Sequence, residues 1–298
     1  MAGDFSAAPQ AGPEPRDVAR VQRQLLDWYA DNARDLPWRR TRDPYAILVA
    51  EMMLQQTQVD RVIPMWHAWL ERFPSTHALA RASRADAIRA WQGLGYNLRA
   101  VRLHAIAGQV VAEYDGVLPR TVAGLLTLKG VGRYTAGAVA CFAYEQPVAI
   151  VDTNVRRVLS RVFAVDPGSV ASIADSVVPP PPAAYAWNQA LMDLGATVCR
   201  ARRPMCLVCP LVAGCGGPRA FSPLPKDAAS FRGSQRYYRG RVVEFLTQLP
   251  QGDSVCVGDL AGRIGPLAER ERLIRLIGQL ASDGLVSVDH DQRVRLPD

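Results

Sequence analysis

The sequence is nearly without lysine: Lys129 and Lys226 are the only two in 298 residues, and every other basic residue is an arginine. It also lacks any uninterrupted apolar stretch of the eighteen or so residues that a membrane-spanning helix needs. The first residues, Met1 to Pro15, have neither the basic start nor the apolar core of a signal peptide, so they read as a disordered arm and the chain as cytoplasmic. There is no alternation of strands and helices of the doubly wound kind and no repeat of fixed period. Aromatic residues make up 7% and charged residues 21% against 49% hydrophobic. That balance excludes a disordered polyelectrolyte and suits a globular protein with a sizeable core.

What charge there is leans one way. The formal net charge is +7 with an isoelectric point near 9.3, which points to a polyanionic partner. From Arg236 onward nine arginines meet nine acidic residues, so the whole excess lies in the first 235 residues. The polyanion is expected there.

Apolar residues recur at helical spacing over Asp17–Tyr29, Tyr45–Gln56, Arg61–Arg72, Ala85–Trp91, Arg99–Glu113, Thr121–Leu128, Tyr134–Ala143, Asn154–Phe163 and Ala184–Val198. Gly and Pro punctuate these stretches, which predicts a mainly α body over residues 16–217. A Pro- and Gly-rich linker is expected over 218–235. A small C-terminal domain, 236–298, follows, with helices at Arg239–Leu249, Val257–Ile264 and Glu269–Ser282 and a strand pair Leu285–Val288 and Arg293–Leu296. Three helices and a hairpin resemble a winged-helix module.

Cys199, Cys206, Cys209 and Cys215 form a C-x6-C-x2-C-x5-C loop. Disulfides do not suit a cytoplasmic chain. A zinc ion accepts four thiolates, and so does a [4Fe–4S] cube; the spacing does not choose between them. Cys141 and Cys256 lie in apolar stretches and read as core residues.

Leu128-Lys129-Gly130-Val131-Gly132-Arg133-Tyr134 joins two helices through a Gly-x-Gly turn. Such a turn, followed by the free N–H groups of a helix start, can cradle a phosphate; it can equally be a plain helix corner. Two carboxylates stand out. Glu51 lies on the largely apolar Ala50–Val59 stretch, where desolvation would keep its proton available. Asp152 precedes a helix, where the N–H groups and dipole favour an anion. A neutral acid paired with a fixed anion is what cleavage of a glycosidic bond through a sugar cation requires; taken singly, Glu51 reads as a partly solvated helix residue and Asp152 as a plain helix cap.

These motifs together resemble one family. The cysteine loop after a helix is similar to the cluster loop of the endonuclease III and MutY superfamily of DNA glycosylases, and the Gly-x-Gly turn to their helix-hairpin-helix. Glu51-Met-Met-Leu-Gln-Gln-Thr-Gln-Val59 and Val151-Asp-Thr-Asn-Val-Arg-Arg-Val158 resemble the two catalytic segments of MutY-type adenine glycosylases. Leu36-Pro-Trp-Arg39, Asp43-Pro-Tyr45, Gly93-Leu-Gly-Tyr96 and Asn188–Gly195 match in the same order. The resemblance covers roughly residues 24–217.

The resemblance implies a helix-hairpin-helix glycosylase of base excision repair that removes adenine opposite 8-oxoguanine or guanine. It implies a [4Fe–4S] cluster on Cys199, Cys206, Cys209 and Cys215. Glu51 would protonate the adenine and Asp152 would stabilise the sugar cation, with Tyr134 and Asn154 supporting. Arg34, Trp38, Arg39 and Gln189 would line the adenine pocket. Gln56 and Tyr96 would wedge into the base stack, and Thr57 and Leu94 would face the opposite purine. Gly130, Gly132, Arg200, Arg202 and Arg203 would meet phosphates.

Tyr134 occupies the position where the superfamily's bifunctional lyases place a lysine, so the enzyme is expected to be monofunctional, leaving an abasic site. It is expected to act as a monomer on double-stranded DNA, away from membranes. Three other readings stand beside this one: a thymine or uracil mismatch glycosylase of the same superfamily, a non-catalytic iron–sulfur DNA-binding protein, and a zinc-stabilised structural DNA binder. One departure is plain. Most members of the family end in a Nudix-like domain for 8-oxoguanine, and the roughly 80 residues after the cysteine loop are too short for it.

Overall fold

The apolar stripes and their Gly and Pro breaks become a mainly helical fold in the computed structural model, which describes residues 15–217, 231–264 and 270–298. The expected arm over 1–15, but for Pro15, and residues 218–230 of the linker expected over 218–235 therefore fall outside the described residues, whereas 231–235 are described. The first helices are α1 (Pro15–Asn32), α2 (Pro44–Leu54), α3 (Val59–Arg72), α4 (Thr76–Arg81), α5 (Arg84–Ala90), α6 (Leu98–Tyr114) and α7 (Val122–Leu126). They are followed by α8 (Arg133–Tyr144), α9 (Thr153–Val162), α10 (Val170–Ala174) and α11 (Ala183–Thr197). Beyond the cysteine loop come α12 (Gln235–Gln248), α13 (Val257–Ile264) and α14 (Arg270–Ser282). No helix among the described residues is long and apolar enough to cross a membrane.

The chain divides into two compact units, each made of two stretches: residues 1–39 with 136–226, and 40–135 with 227–298. In the first, α9 packs on α11 and α11 on α1. Leu25, Val158, Trp187, Ala190 and Leu194 meet in their shared core. In the second, Trp69 crosses Trp91 edge to face at 5.3 Å and donates its indole N–H to the Tyr45 hydroxyl at 3.1 Å; that hydroxyl donates in turn to the Phe73 carbonyl at 2.9 Å. Burial raises the Tyr45 phenol, which therefore stays a donor.

The C-terminal residues also belong to the second unit. Tyr238, Val242, Val243 and Leu246 of α12 share a core with Ala85 and Ile88 of α5, and with Leu260, Leu276 and Leu280. The expected hairpin is present as β2 (Ser287–Val288) and β3 (Arg293–Arg295), and the structure adds β1 (Val255–Cys256) to make an antiparallel sheet of order β1-β3-β2. With α12–α14 this is the winged-helix-like arrangement expected from the sequence. Two residues are too short a strand to show alternation, which is why β1 left no signal. The same holds for α4 and α10, of six and five residues, neither long enough to repeat an apolar stripe. Cys141 is fully buried as expected, whereas Cys256 is only half-buried on the edge strand β1.

Candidate functional site

The residues singled out from the sequence fall in both units and are taken unit by unit. In the second unit, Asp43 caps α2 by accepting from Tyr45 N at 3.0 Å, and Pro44 supplies the first helical residue. Tyr45 to Met53 are then buried without a break, so α2 is covered on every face. Glu51, at 5% exposure, is the one acidic side chain in that run.

Past the end of α2 the chain turns at Gln56, whose φ of +59° is left-handed; Tyr96, between Gly95 and Asn97, has φ of +47°. Both side chains are exposed. A left-handed non-glycine residue costs energy and persists where surrounding structure enforces it. The enforcing group is Arg99, which no sequence motif singled out. Buried to 4% exposure, its guanidinium donates to the Met52 and Met53 carbonyls at 2.9 Å, to the Gln55 carbonyl, and to Thr57 Oγ1 at 3.1 Å. It donates equally to the carbonyls of Leu94 at 3.2 Å, Gly95 at 3.0 Å and Tyr96 at 3.4 Å. One cation thus ties the segment after Glu51 to the Gly93–Tyr96 loop. Burial pushes its pKa down to about 10. Thr57 lies at this junction, its hydroxyl 3.4 Å from the Leu94 carbonyl. Leu94 itself is buried and offers its backbone rather than its side chain.

The hairpin turn is built as expected. Leu128 O accepts from Val131 N at 3.0 Å, and Gly130 takes φ of +102°. Gly132 does not adopt a left-handed φ, but it is exposed beside the start of α8 and has open space around it. Tyr134 is half-buried in the first turn of α8.

In the first unit, Asp152 caps α9: Oδ1 accepts from Val155 N at 2.6 Å and Oδ2 from Asn154 Nδ2 at 3.0 Å. Asn154 Oδ1 accepts from Arg157 Nη2 at 2.8 Å, and Arg157 also donates to the Gly195 carbonyl and, through Nε, to the Cys199 carbonyl, both at 2.7 Å. Burial lowers the Arg157 pKa, partly countered by Cys199. The sequence placed Asp152 and Asn154 together; it did not show that Arg157 joins them to the cysteine loop.

Arg34 and Arg39 converge on Asp193, which is fully buried and was likewise not foreseen. Arg34 Nε and Arg39 Nη2 each reach Oδ1 at 2.7 Å, while Arg39 Nη1 and Arg34 N reach Oδ2 at 2.8 and 3.0 Å. Burial alone would raise the Asp193 carboxyl, but the hydrogen bonds and charge of Arg39, helped by Arg34, hold it below the usual carboxylate range. Arg39 also lies 5.9 Å from the centre of the Tyr29 ring. Trp38 and Gln189 are buried in the same unit.

The four cysteines of the loop line one cavity of about 90 Å³, closed by Arg161, Met205 and Val212 among others. Arg161 donates to Cys199 Sγ at 3.3 Å and to the carbonyls of Arg200 and Ala201. Burial above all, with repulsion from neighbouring thiolates, pushes the Cys209 and Cys215 thiols up. Among the described residues, no group of three His, Cys, Asp or Glu side chains is arranged to hold a metal ion. Arg200, Arg202 and Arg203 are exposed on this loop.

Comparison with known proteins bears on these features. The family described as HhH-GPD superfamily base excision DNA repair protein matches residues 49–178, which include Glu51, the hairpin and Asp152. An adenine DNA glycosylase of Mycolicibacterium smegmatis is 43% identical over 282 residues, covering 92% of this chain and 94% of that protein. The chain belongs to the adenine DNA glycosylase family.

The mycobacterial match leaves too few residues unaligned to exclude the C-terminal module. The human adenine DNA glycosylase is 44% identical over 220 residues, but these cover 67% of this chain and 40% of the human protein. Among solved structures, a thermostable thymine-DNA glycosylase aligns at a TM-score of 0.64 and 29% identity, over 67% of this chain and 95% of its own. An endonuclease III trapped on DNA aligns at 0.58 and 22% identity, over 67% and 94%, which shows the shared fold.

Proposed function

We propose that this protein is a monofunctional DNA glycosylase that hydrolyses the N-glycosidic bond of adenine mispaired with 8-oxoguanine or guanine in duplex DNA. The observation that carries the reading is Glu51: an acid buried in a helix that is otherwise apolar on every face, inside the matched family region of a chain 43% identical to an adenine DNA glycosylase.

In this reading the Glu51 carboxyl gives its proton to N7 of the everted adenine. The C1′–N9 bond then breaks, with its electron pair leaving on the base. Asp152, held in position by Val155 N–H and Asn154, stabilises the cation left at C1′. Water adds to C1′ and loses a proton to the Glu51 carboxylate, which restores the acid. Tyr134 stands where a Schiff-base lysine would be needed, so the product is an abasic site with the strand intact.

Gln56 and Tyr96, held in left-handed backbone by the loops that Arg99 joins, serve as wedges that offset the cost of extruding the base, a few kcal/mol. Gly130 and Gly132 receive a phosphate, as do Arg200, Arg202 and Arg203. Cys199, Cys206, Cys209 and Cys215 would hold a [4Fe–4S] cluster. The four thiols line one cavity of about 90 Å³, and four thiolates are the donor set such a cluster takes. What such a cluster supplies here is a fixed shape for the arginine-bearing loop.

A panel of duplexes carrying A opposite 8-oxoG, G or C, and T opposite G, tests the reading, each treated with alkali after incubation to cleave abasic sites. Release of adenine opposite 8-oxoG and G, with no cleavage before alkali, is expected. Glu51→Gln should abolish release while duplex binding survives. Preferential attack on T opposite G would instead favour the thymine-DNA glycosylase to which the fold is also similar.

A further inference from the structure

Tyr96 is held from two directions. Arg99 fixes its carbonyl and lies 5.6 Å from its ring centre. A second arginine reaches it from the C-terminal module: Arg236 Nη1 donates to the Tyr96 hydroxyl at 3.0 Å, with its guanidinium carbon 5.8 Å from the ring centre. The same guanidinium lies 5.6 Å from the ring of Phe231, which meets Tyr237 edge to face at 5.7 Å.

Arg236 is not mounted on a loose segment. It sits in the first turn of α12, whose start is capped by Ser234 accepting from Tyr237 N, and whose core residues pack with Ala85 and Ile88. The first turn of a helix is the positive end of its dipole, where a cation is disfavoured. α12 has no acidic residue there to compensate. The compensation for Arg236 is aromatic: two rings and a phenol oxygen.

We infer that Arg236 is a positioning residue for Tyr96, through which the C-terminal module sets the ring that wedges beside the everted nucleotide. The C-terminal module would thereby act on discrimination by orienting a residue outside itself. This inference rests on the glycosylase reading above, and the test separates the two.

Single-turnover adenine release is measured on A opposite 8-oxoG and A opposite G. Base eversion is read from the fluorescence rise of 2-aminopurine at the target position, and affinity is measured for a fully paired duplex. Arg236→Ala should slow release roughly fivefold, the scale of an exposed cation–π contact with a hydrogen bond, and shrink the fluorescence rise. Affinity for paired duplex should hold within about twofold. Arg236→Lys, which keeps the charge, should recover part of the loss. Combined with Tyr96→Ala, the Arg236→Ala change should have no further effect.

Three results would overturn the inference: a wild-type rate in Arg236→Ala, a loss that is equally large when Tyr96 is already gone, or a uniform loss of affinity for paired duplex. The last two would mark a separate phosphate contact. If the parent releases no adenine, or if Tyr96→Ala is as active as the parent, the fault lies in the functional reading or in the wedge assignment, and the inference falls with it.

Discussion

Replacing Arg99 by methionine keeps a flexible apolar stem of similar reach and removes every donor. The guanidinium serves seven acceptors in two loops: the carbonyls of Met52, Met53, Gln55, Leu94, Gly95 and Tyr96, and the Thr57 hydroxyl. Hydrogen bonds to a charged group contribute about 1.5–3 kcal/mol each, and a buried acceptor left without a donor costs about 1–3 kcal/mol. The full sum is not recovered, because methionine does not pay the desolvation that drives the Arg99 pKa down, and the exposed ends of both loops can turn to water. Counting Met52, Met53 and Leu94, the three acceptors that belong to buried residues, and a remainder from the other four, the net loss is about 3–5 kcal/mol. For a unit of this size that lowers the thermal midpoint by about 10–15 °C. Circular dichroism melting measures it. Adenine release at a temperature well below both midpoints should also fall at least about tenfold, because Gln56 and Tyr96 lose the anchor that enforces their backbone. Arg99→Lys should lie between, since an ammonium has three donors for seven acceptors. A midpoint within 3 °C of the parent (roughly 1 kcal/mol) together with unchanged release would refute the argument that Arg99 joins the two loops.

Two further outcomes follow from the first unit. Asp193→Asn leaves Arg39 buried without its counter-charge and should destabilise the protein by about 3–5 kcal/mol at neutral pH. Because the folded Asp193 pKa is depressed, its contribution is present above the unfolded value near 3.9 and is lost as pH falls through the folded value; urea unfolding from pH 6 to 3 should show an acid-dependent component in the parent that the variant lacks. Gly195→Ala would set a Cβ 2.7 Å from the Cβ of Asn154 and 3.3 Å from its backbone. The displaced Asn154 can no longer hold Asp152 Oδ2, so single-turnover release should drop on the order of tenfold or more, and an unchanged rate would remove Asn154 from its supporting role.

Much of this was legible from local sequence. The apolar stretch over Tyr45–Gln56 with its one Glu gave α2 and its buried acid; Asp152 before a helical stripe gave the α9 cap; four cysteines in seventeen residues gave the thiol cavity. What escaped was long-range. Arg99 finds acceptors 47 residues away at Met52, Asp193 meets Arg34 across 159 residues, and Arg236 reaches Tyr96 across 140. In an arginine-rich chain none of these side chains differs from a surface neighbour until the fold brings its partner close. Periodicity reports which face of an element is buried, and a long polar side chain lying across several elements leaves no periodic trace.

Only three hydrogen bonds separate the carboxylate of Asp152 from the backbone of Cys199, running through the Asn154 amide and the Arg157 guanidinium. None of these links has slack, since Arg157 is clamped at the same time by the Gly195 carbonyl and Gly195 admits no larger side chain against Asn154. A distortion of the thiol loop at Cys199 is thus transmitted to the Asp152 carboxyl before any helix need unwind, so in the proposed glycosylase mechanism chemical injury to that loop would stall turnover in a molecule whose circular dichroism still looks native.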